Sequence, residues 1–222
     1  MRLNVFASSM DNKTKTVAII VAHPDDETLW AGGTILSNPS WLCFIICLCR
    51  KSDPDRAPKF EKALKILGAD GIMGNLDDSP EQKPLPENEV EKAILQLLPR
   101  WNFDLVITHG INGEYTRHRR HEEIGKAVIN LWIENKLAAK ELWAFAYEDN
   151  NRAYYPIVIE DAPIYYALPH HIWESKYNII TSVYGFAKDS WEAETTPKEE
   201  AFWQFFNVGQ AQKWLTTGIY SS

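Results

Sequence analysis

The chain has 222 residues, 45% of them hydrophobic and 24% charged, with a formal net charge of -7. That length and composition suit a soluble globular fold and predict a single domain spanning residues 1–222. The acidic balance argues against nucleic acid or an anionic membrane surface as partner, because both require a basic face.

Residues 1–15 carry no apolar core and no small-residue cleavage pattern, so no secretory signal is expected. Residues 16–22 (TVAIIVA) form a continuous, β-branched run, the pattern of a strand covered on both faces. A polar turn follows, His23-Pro24-Asp25-Asp26-Glu27, then a helix over 28–36 with Asp25 or Asp26 as its N-cap. Residues 41–49 predict a second strand and are too few to span a membrane. Cys43, Cys47 and Cys49 stand at even offsets within that run, which would place all three on one face as reduced core thiols and points to the cytoplasm. Phe60, Ala63, Leu64 and Leu67 recur at helical spacing over 56–67, and Gly68 closes that helix.

A short strand at 72–73, a proline-marked loop and a helix over 90–98 come next. A strand at 105–108 leads through a polar loop with Gly110 and Gly113 to a helix over 124–133. Further on, 142–147 and 155–159 read as strands, and 171–184 and 199–206 as helices. The alternation of strand and helix predicts an α/β fold with a Rossmann-like, open, mostly parallel sheet flanked by helices. Ligands gather beyond the carboxyl ends of such strands, where both polar clusters fall.

His23 and Asp26, three residues apart on a turn stiffened by Pro24, can converge on one cation. Asp25, held between them without being forced to ligate, stands where a general base for water belongs. His118 and His121, three apart at the start of a helix, share a face, so one can complete the ligand set while the other meets the substrate carbonyl. Alone, the His-Pro-Asp-Asp turn reads equally well as a capped helix start; the added histidine pair tips the balance toward a metal site. Ordinary roles suffice for His109 (a loop residue), His170 and His171 (surface) and Glu122 and Glu123 (first-turn acids). They also suffice for most of the nine tryptophans, which read as core.

Val21-Ala22-His23-Pro24-Asp25-Asp26-Glu27, followed by Gly32-Gly33-Thr34 and by His118-x-x-His121, resembles the PIG-L/LmbE family of zinc-dependent N-acetylglucosaminyl deacetylases. Arg56 before a helix with Leu67-Gly68 adds to the likeness, and Trp173 and Lys176 extend it weakly. The resemblance implies one zinc, or another divalent metal, per chain, held by His23, Asp26 and His121. It implies Asp25 as base, His118 as oxyanion stabiliser or acid, and Arg56 as a contact for substrate hydroxyls or phosphate. The implied reaction removes an acyl group, acetyl above all, from an N-acetylglucosamine-type conjugate; the implied partner is thus a small-molecule amino sugar, with self-association left open. The rival readings are a metal hydrolase of another substrate class and a non-catalytic sugar- or metal-binding relative. Arg120 stands where the family often has Asp before its ligand histidine, which removes the expected acidic support for His121.

Overall fold

The computed structural model describes residues 14–116 and 118–220, so the reading of residues 1–13 as lacking a signal lies outside the described residues. The chain runs β1 (Thr16–Val21), α1 (Asp26–Ser37), β2 (Leu42–Cys47), α2 (Arg56–Leu67), β3 (Asp70–Met73), α3 (Glu87–Leu97), β4 (Phe103–Thr108), α4 (Arg119–Ile133) and β5 (Ala139–Phe145). It continues with β6 (Tyr147–Glu148), β7 (Ile157–Val158), β8 (Ile164–Ala167), α5 (His170–Asn178), a π-helical turn (Ile179–Val183), α6 (Trp191–Thr195), β9 (Glu199–Phe205) and α7 (Val208–Thr217). Seven strands form one sheet in the order β3-β2-β1-β4-β5-β9-β8. β1 to β5 are parallel, and β9 enters antiparallel between β5 and β8.

The apolar runs are continuous because both faces of the sheet are covered. Alternate residues of a strand point to opposite faces, and β1 divides accordingly. Val17, Ile19 and Val21 pack with Leu29 and Trp30 of α1, Phe60 and Ala63 of α2, and Ile180 of the π turn. Ala18 and Ile20 pack with Val90 and Ile94 of α3, Ile124 and Val128 of α4, and Trp214 of α7. Each fully buried Ile or Leu here contributes about 1.5–3 kcal/mol. α2 has the bounds its spacing predicts, and Gly68 closes it in the left-handed conformation at φ 67°.

Three expectations are corrected. Residues 199–206 do not form a helix: Glu199–Phe205 is the strand β9, paired between β5 and β8, with Phe202 in one core and Phe205 in the other. The strand expected over 155–159 shrinks to Ile157–Val158, and β8 and α7 were not foreseen. The three thiols are free and buried, but they do not share a face. β2 ends at Cys47, so Cys43 and Cys47 join one core and Cys49 the other. Among the described residues no helix is long and apolar enough to cross a membrane.

The sheet order reverses between β1 and β4, with β2 and β3 on one side and β5 on the other. The carboxyl ends of these two strands therefore frame the crevice where α/β sheets bind ligands. Gly125 lets α4 approach that end: a Cβ there would lie 2.6 Å from the His109 carbonyl oxygen. His121, one turn earlier on α4, is thereby drawn over the end of β4.

Candidate metal centre and its cleft

Two loop ends deliver the polar groups. His23 follows β1, and its backbone N–H donates to Asp26 Oδ2 at 2.7 Å; Trp30 Nε1 donates to Asp26 Oδ1 at 3.1 Å, so the carboxylate is oriented at both oxygens. His121 arrives from the first turn of α4. His23 Nδ1 lies 3.2 Å from His121 Nε2 and 3.2 Å from Asp26 Oδ2, and His121 Nε2 lies 3.3 Å from Asp26 Oδ2. Donors at tetrahedral corners with bonds of about 2.0–2.1 Å sit about 3.3 Å apart, so these three atoms are spaced as one face of such a site.

Two other histidines crowd the same point. His118 joins His23 and His121 as a donor group, and His109 joins Asp26 and His121. His109 is already committed: its Nε2 accepts the Ala22 N–H at 2.9 Å, so Nδ1 carries the proton and donates to Glu114 Oε2 at 2.8 Å. His118 is uncommitted, with its buried Nδ1 lacking a hydrogen-bond partner among the described residues. Its ring centroid lies 4.5 Å from that of His23 and 4.2 Å from that of His121.

Glu114 stands behind the candidate ligands. The same Oε2 accepts from His121 Nδ1 at 2.6 Å, while Oε1 accepts the Gly110 N–H at 2.9 Å. This bond turns His121 Nε2 toward the centre, the usual arrangement behind a ligating imidazole. On the other side, His23 Nε2 lies 3.1 Å from Asp78 Oδ1, and Arg50 Nη2 lies 2.8 Å from Asp78 Oδ2.

Asp25 sits between the ligands in sequence at φ 120°, a conformation that side-chain-bearing residues rarely adopt. Its N–H donates to Glu27 Oε2 at 3.0 Å, and Glu27 Oε1 accepts the hydroxyls of Thr28 at 2.6 Å and Tyr184 at 2.7 Å. The Asp25 side chain makes no helix-capping bond; instead its Oδ2 accepts from Arg56 Nη1 at 3.1 Å. His23, Asp25, Asp26, Arg56, Tyr115 and His118 all line one cleft of about 650 Å³.

The electrostatics follow the packing. Burial opposes charge on His121, but Asp26 and Glu114 outweigh it and carry the imidazole up to about 10. Burial likewise opposes the charge on Glu114, yet His109 and His121 bring the carboxyl down to about 2. Burial, aided by His121 and His23, drives His118 down to about 2, so this imidazole is neutral and offers a single N–H. Burial and the neighbouring Asp26 push Asp25 upward, against the pull of Arg56.

The model of the PIG-L family, GlcNAc-PI de-N-acetylase, matches residues 18–132, which hold His23, Asp25, Asp26, His109, His118 and His121. The chain belongs to the PIG-L family. An uncharacterized protein of Acanthamoeba polyphaga mimivirus is 23% identical over 184 residues, covering 76% of this chain and 75% of that protein. Among solved structures, the N,N'-diacetylchitobiose deacetylase of Pyrococcus horikoshii is 18% identical, covers 87% of this chain and 85% of its own, and has a TM-score of 0.64. The 4-carboxy-2-hydroxymuconate hydratase of Pseudomonas putida is 16% identical, covers 94% of this chain and 91% of its own, and has a TM-score of 0.56. The α/β fold with its mostly parallel sheet is thus that of LmbE-like deacetylases, and it also carries a hydratase.

Within this PIG-L chain the structure brings His23, Asp26 and His121 to one point, with His118 beside them and Asp25 on the cleft wall. Arg56 reaches Asp25 at 3.1 Å and lies over the Phe186 ring at 4.6 Å, on the wall of the cleft. The loss of acidic support expected from Arg120 does not occur, because Glu114 provides it from the preceding loop. Arg120 instead is buried against the loop that carries Asp78: it donates to the Asp77 carbonyl and, at 2.9 Å, to the Lys83 carbonyl, and it pairs with Glu123. His109 is not a loop residue of ordinary kind but a fully buried one, stacked on His121 with centroids 4.0 Å apart. Glu114, Asp78, Glu27 and Tyr184 were not foreseen. A lone Glu in a polar loop carries no spacing signal, and Tyr184 meets Glu27 from 157 positions away.

Proposed function

We propose that this chain is a metal-dependent deacetylase that hydrolyses the N-acetyl group of an N-acetylglucosamine-type conjugate, with one zinc ion held by His23, Asp26 and His121. The observation that carries the reading is the triangle of donor atoms with edges of 3.2, 3.2 and 3.3 Å, beside a carboxylate that opens on the same cleft. The orphaned, buried His118 Nδ1 adds a polar group in need of a partner at the same place.

When bound, a divalent ion at such a centre supplies Lewis acidity, polarising an amide carbonyl and making water more acidic. Asp25 accepts the proton of the attacking water. Arg56 aims that carboxylate and opposes the burial that favours its protonated form, and Glu27, by holding the Asp25 N–H, keeps its backbone in the required conformation. Neutral His118 donates its N–H to the carbonyl oxygen as negative charge gathers there. Asp25 then returns the proton to the departing nitrogen, and acetate and a free amine leave the cleft. A site with one cluster of donors suits amide hydrolysis better than phosphoester cleavage by paired metals.

The test joins metal analysis of the purified protein to acetate release across a panel of acetamido sugars. About one equivalent of zinc per chain and acetate release from at least one acetamido sugar are expected. Metal-loaded protein that releases acetate from none would overturn the assignment.

A further inference from the structure

One segment of the C-terminal third reaches Asp25 from two sides. The π-helical turn Ile179–Val183 is closed by the Tyr184 N–H, which donates to the Ile179 carbonyl at 3.0 Å, and by the Phe186 N–H, which donates to the Ile180 carbonyl at 3.3 Å. Turns of this width are uncommon and recur at functional sites. Gly185, between the two aromatic residues, takes φ 79°, a left-handed conformation that suits glycine. The two rings stay neighbours, with centroids 6.5 Å apart, yet meet different partners.

Tyr184 is 2% exposed, and its hydroxyl donates to Glu27 Oε1 at 2.7 Å. Burial, with Glu27 beside it, pushes that hydroxyl upward, so it keeps its proton and remains the donor. The other oxygen of Glu27 accepts the Asp25 N–H at 3.0 Å. Asp25 needs such a hold, because a backbone at φ 120° persists only where its surroundings fix it. Phe186 works on the opposite end of the same residue. Its ring seats the Arg56 guanidinium at 4.6 Å, and Arg56 Nη1 donates to Asp25 Oδ2 at 3.1 Å. Neither Tyr184 nor Phe186 is among the residues lining the cleft.

We infer that Tyr184 and Phe186 are positioning residues for the base: Tyr184, through Glu27, fixes the backbone of Asp25, and Phe186, through Arg56, fixes its carboxylate. The inference rests on the deacetylase reading, in which Asp25 takes the proton of water, and adds to it the residues that aim that carboxylate. A base must stand within hydrogen-bond reach of the proton it takes, and a displacement of about 1 Å can cost about 100-fold in rate. Without the Tyr184 hydroxyl, Glu27 Oε1 keeps the Thr28 hydroxyl and the carboxylate can swing its other oxygen off the Asp25 N–H. Without the Phe186 ring, the guanidinium leaves its seat and Asp25 Oδ2 turns with it.

The experiment separates aim from packing. Tyr184→Phe, Phe186→Leu and the conservative Phe186→Tyr are made in the wild-type chain and in Asp25→Asn. Acetate release, zinc content and crystal structures are compared. In the wild-type chain Tyr184→Phe and Phe186→Leu are each expected to lower kcat roughly five- to twentyfold, with KM within about twofold and zinc content unchanged. Phe186→Tyr, which keeps the ring face, restores the rate. In Asp25→Asn the same substitutions should cost nothing further, because their effect passes through the carboxylate already replaced. Crystal structures of both variants should show Asp25 displaced. Equal losses in the two backgrounds, a loss carried by KM, or an Asp25 that keeps its place in both variants overturns the inference. Should Tyr184→Phe not fold, Phe186→Leu, at a half-buried ring, carries the same comparison. A wild type that releases acetate from no acetamido sugar sinks the deacetylase reading, while the crystal structures still decide whether the two residues hold Asp25.

Discussion

The carboxylate of Glu114 holds His121 by its Nδ1 at 2.6 Å and His109 by its Nδ1 at 2.8 Å through the same oxygen. One buried acid thereby sets the tautomer of two stacked imidazoles, presenting one nitrogen to the metal centre and the other to the end of β1. Glu114→Gln keeps the size but loses an anionic acceptor. Metal affinity is expected to fall about 10- to 100-fold, measured by competition with a chelating dye. An affinity unchanged within about twofold would show that Glu114 does not orient the ligand.

Asp25→Asn is expected to lower kcat by about 10²- to 10⁴-fold while zinc content stays at the wild-type value. Steady-state acetate release with metal analysis of the same preparation decides the matter. Full activity in this variant would remove Asp25 from the role of base.

Lys176 and Glu200 form a fully buried ion pair at 2.7 Å, and Glu200 also accepts the backbone N–H groups of Gly33 and Thr34 within α1 at 2.7 Å each. A Cβ at Gly33 would lie 2.9 Å from Glu200 Oε1 and 2.5 Å from the Leu168 side chain, so a larger residue there would displace both side-chain ends. Lys176→Met leaves an unpaired buried carboxylate and is expected to cost about 3–5 kcal/mol in urea unfolding. Lys176→Met combined with Glu200→Gln should recover part of that loss. A double variant less stable than the single one would contradict the pairing argument.

Asp104 accepts from Lys140 Nζ at 2.6 Å and from the Thr16 N–H at 2.9 Å, and these bonds hold its carboxyl at about 2, below its ordinary 3.8. A group depressed in the folded state stabilises above its unfolded value, and that contribution disappears as pH falls through the folded one. Asp104→Asn should therefore melt below wild type near neutral pH. The gap should close as pH falls from about 4 toward about 2, and thermal melts across that window would expose a gap that stays constant.

The sheet and the donor triangle were legible because each rests on short-range pattern. Continuous apolar runs mark β1, β2 and β4; spacing singles out His23 and Asp26 on one turn and the His118–His121 pair at a helix start, and the family resemblance selects His121 from that pair. The C-terminal third was not legible. Glu199–Phe205 places Phe202 and Phe205 three apart, which imitates a helix, and its strand identity is decided by neighbours on both sides, β5 and β8. Glu114 and Asp78 were invisible for a related reason. Glu114 is a lone acid in a polar loop, five and seven residues from the histidines it holds with no regular element joining them, and Asp78 meets His23 only through the fold.

His23, Asp26 and His121, the three candidate donors, lie within the first 121 residues, yet α1, which begins at the acidic turn, is gripped from the rear by Tyr184 through Glu27 and by Glu200 through Gly33 and Thr34. Chemistry and adjustment are therefore drawn from separate stretches of one polypeptide. Remodelling only the tail would leave every candidate donor atom in the sequence and still shift the helix that begins just after Asp25.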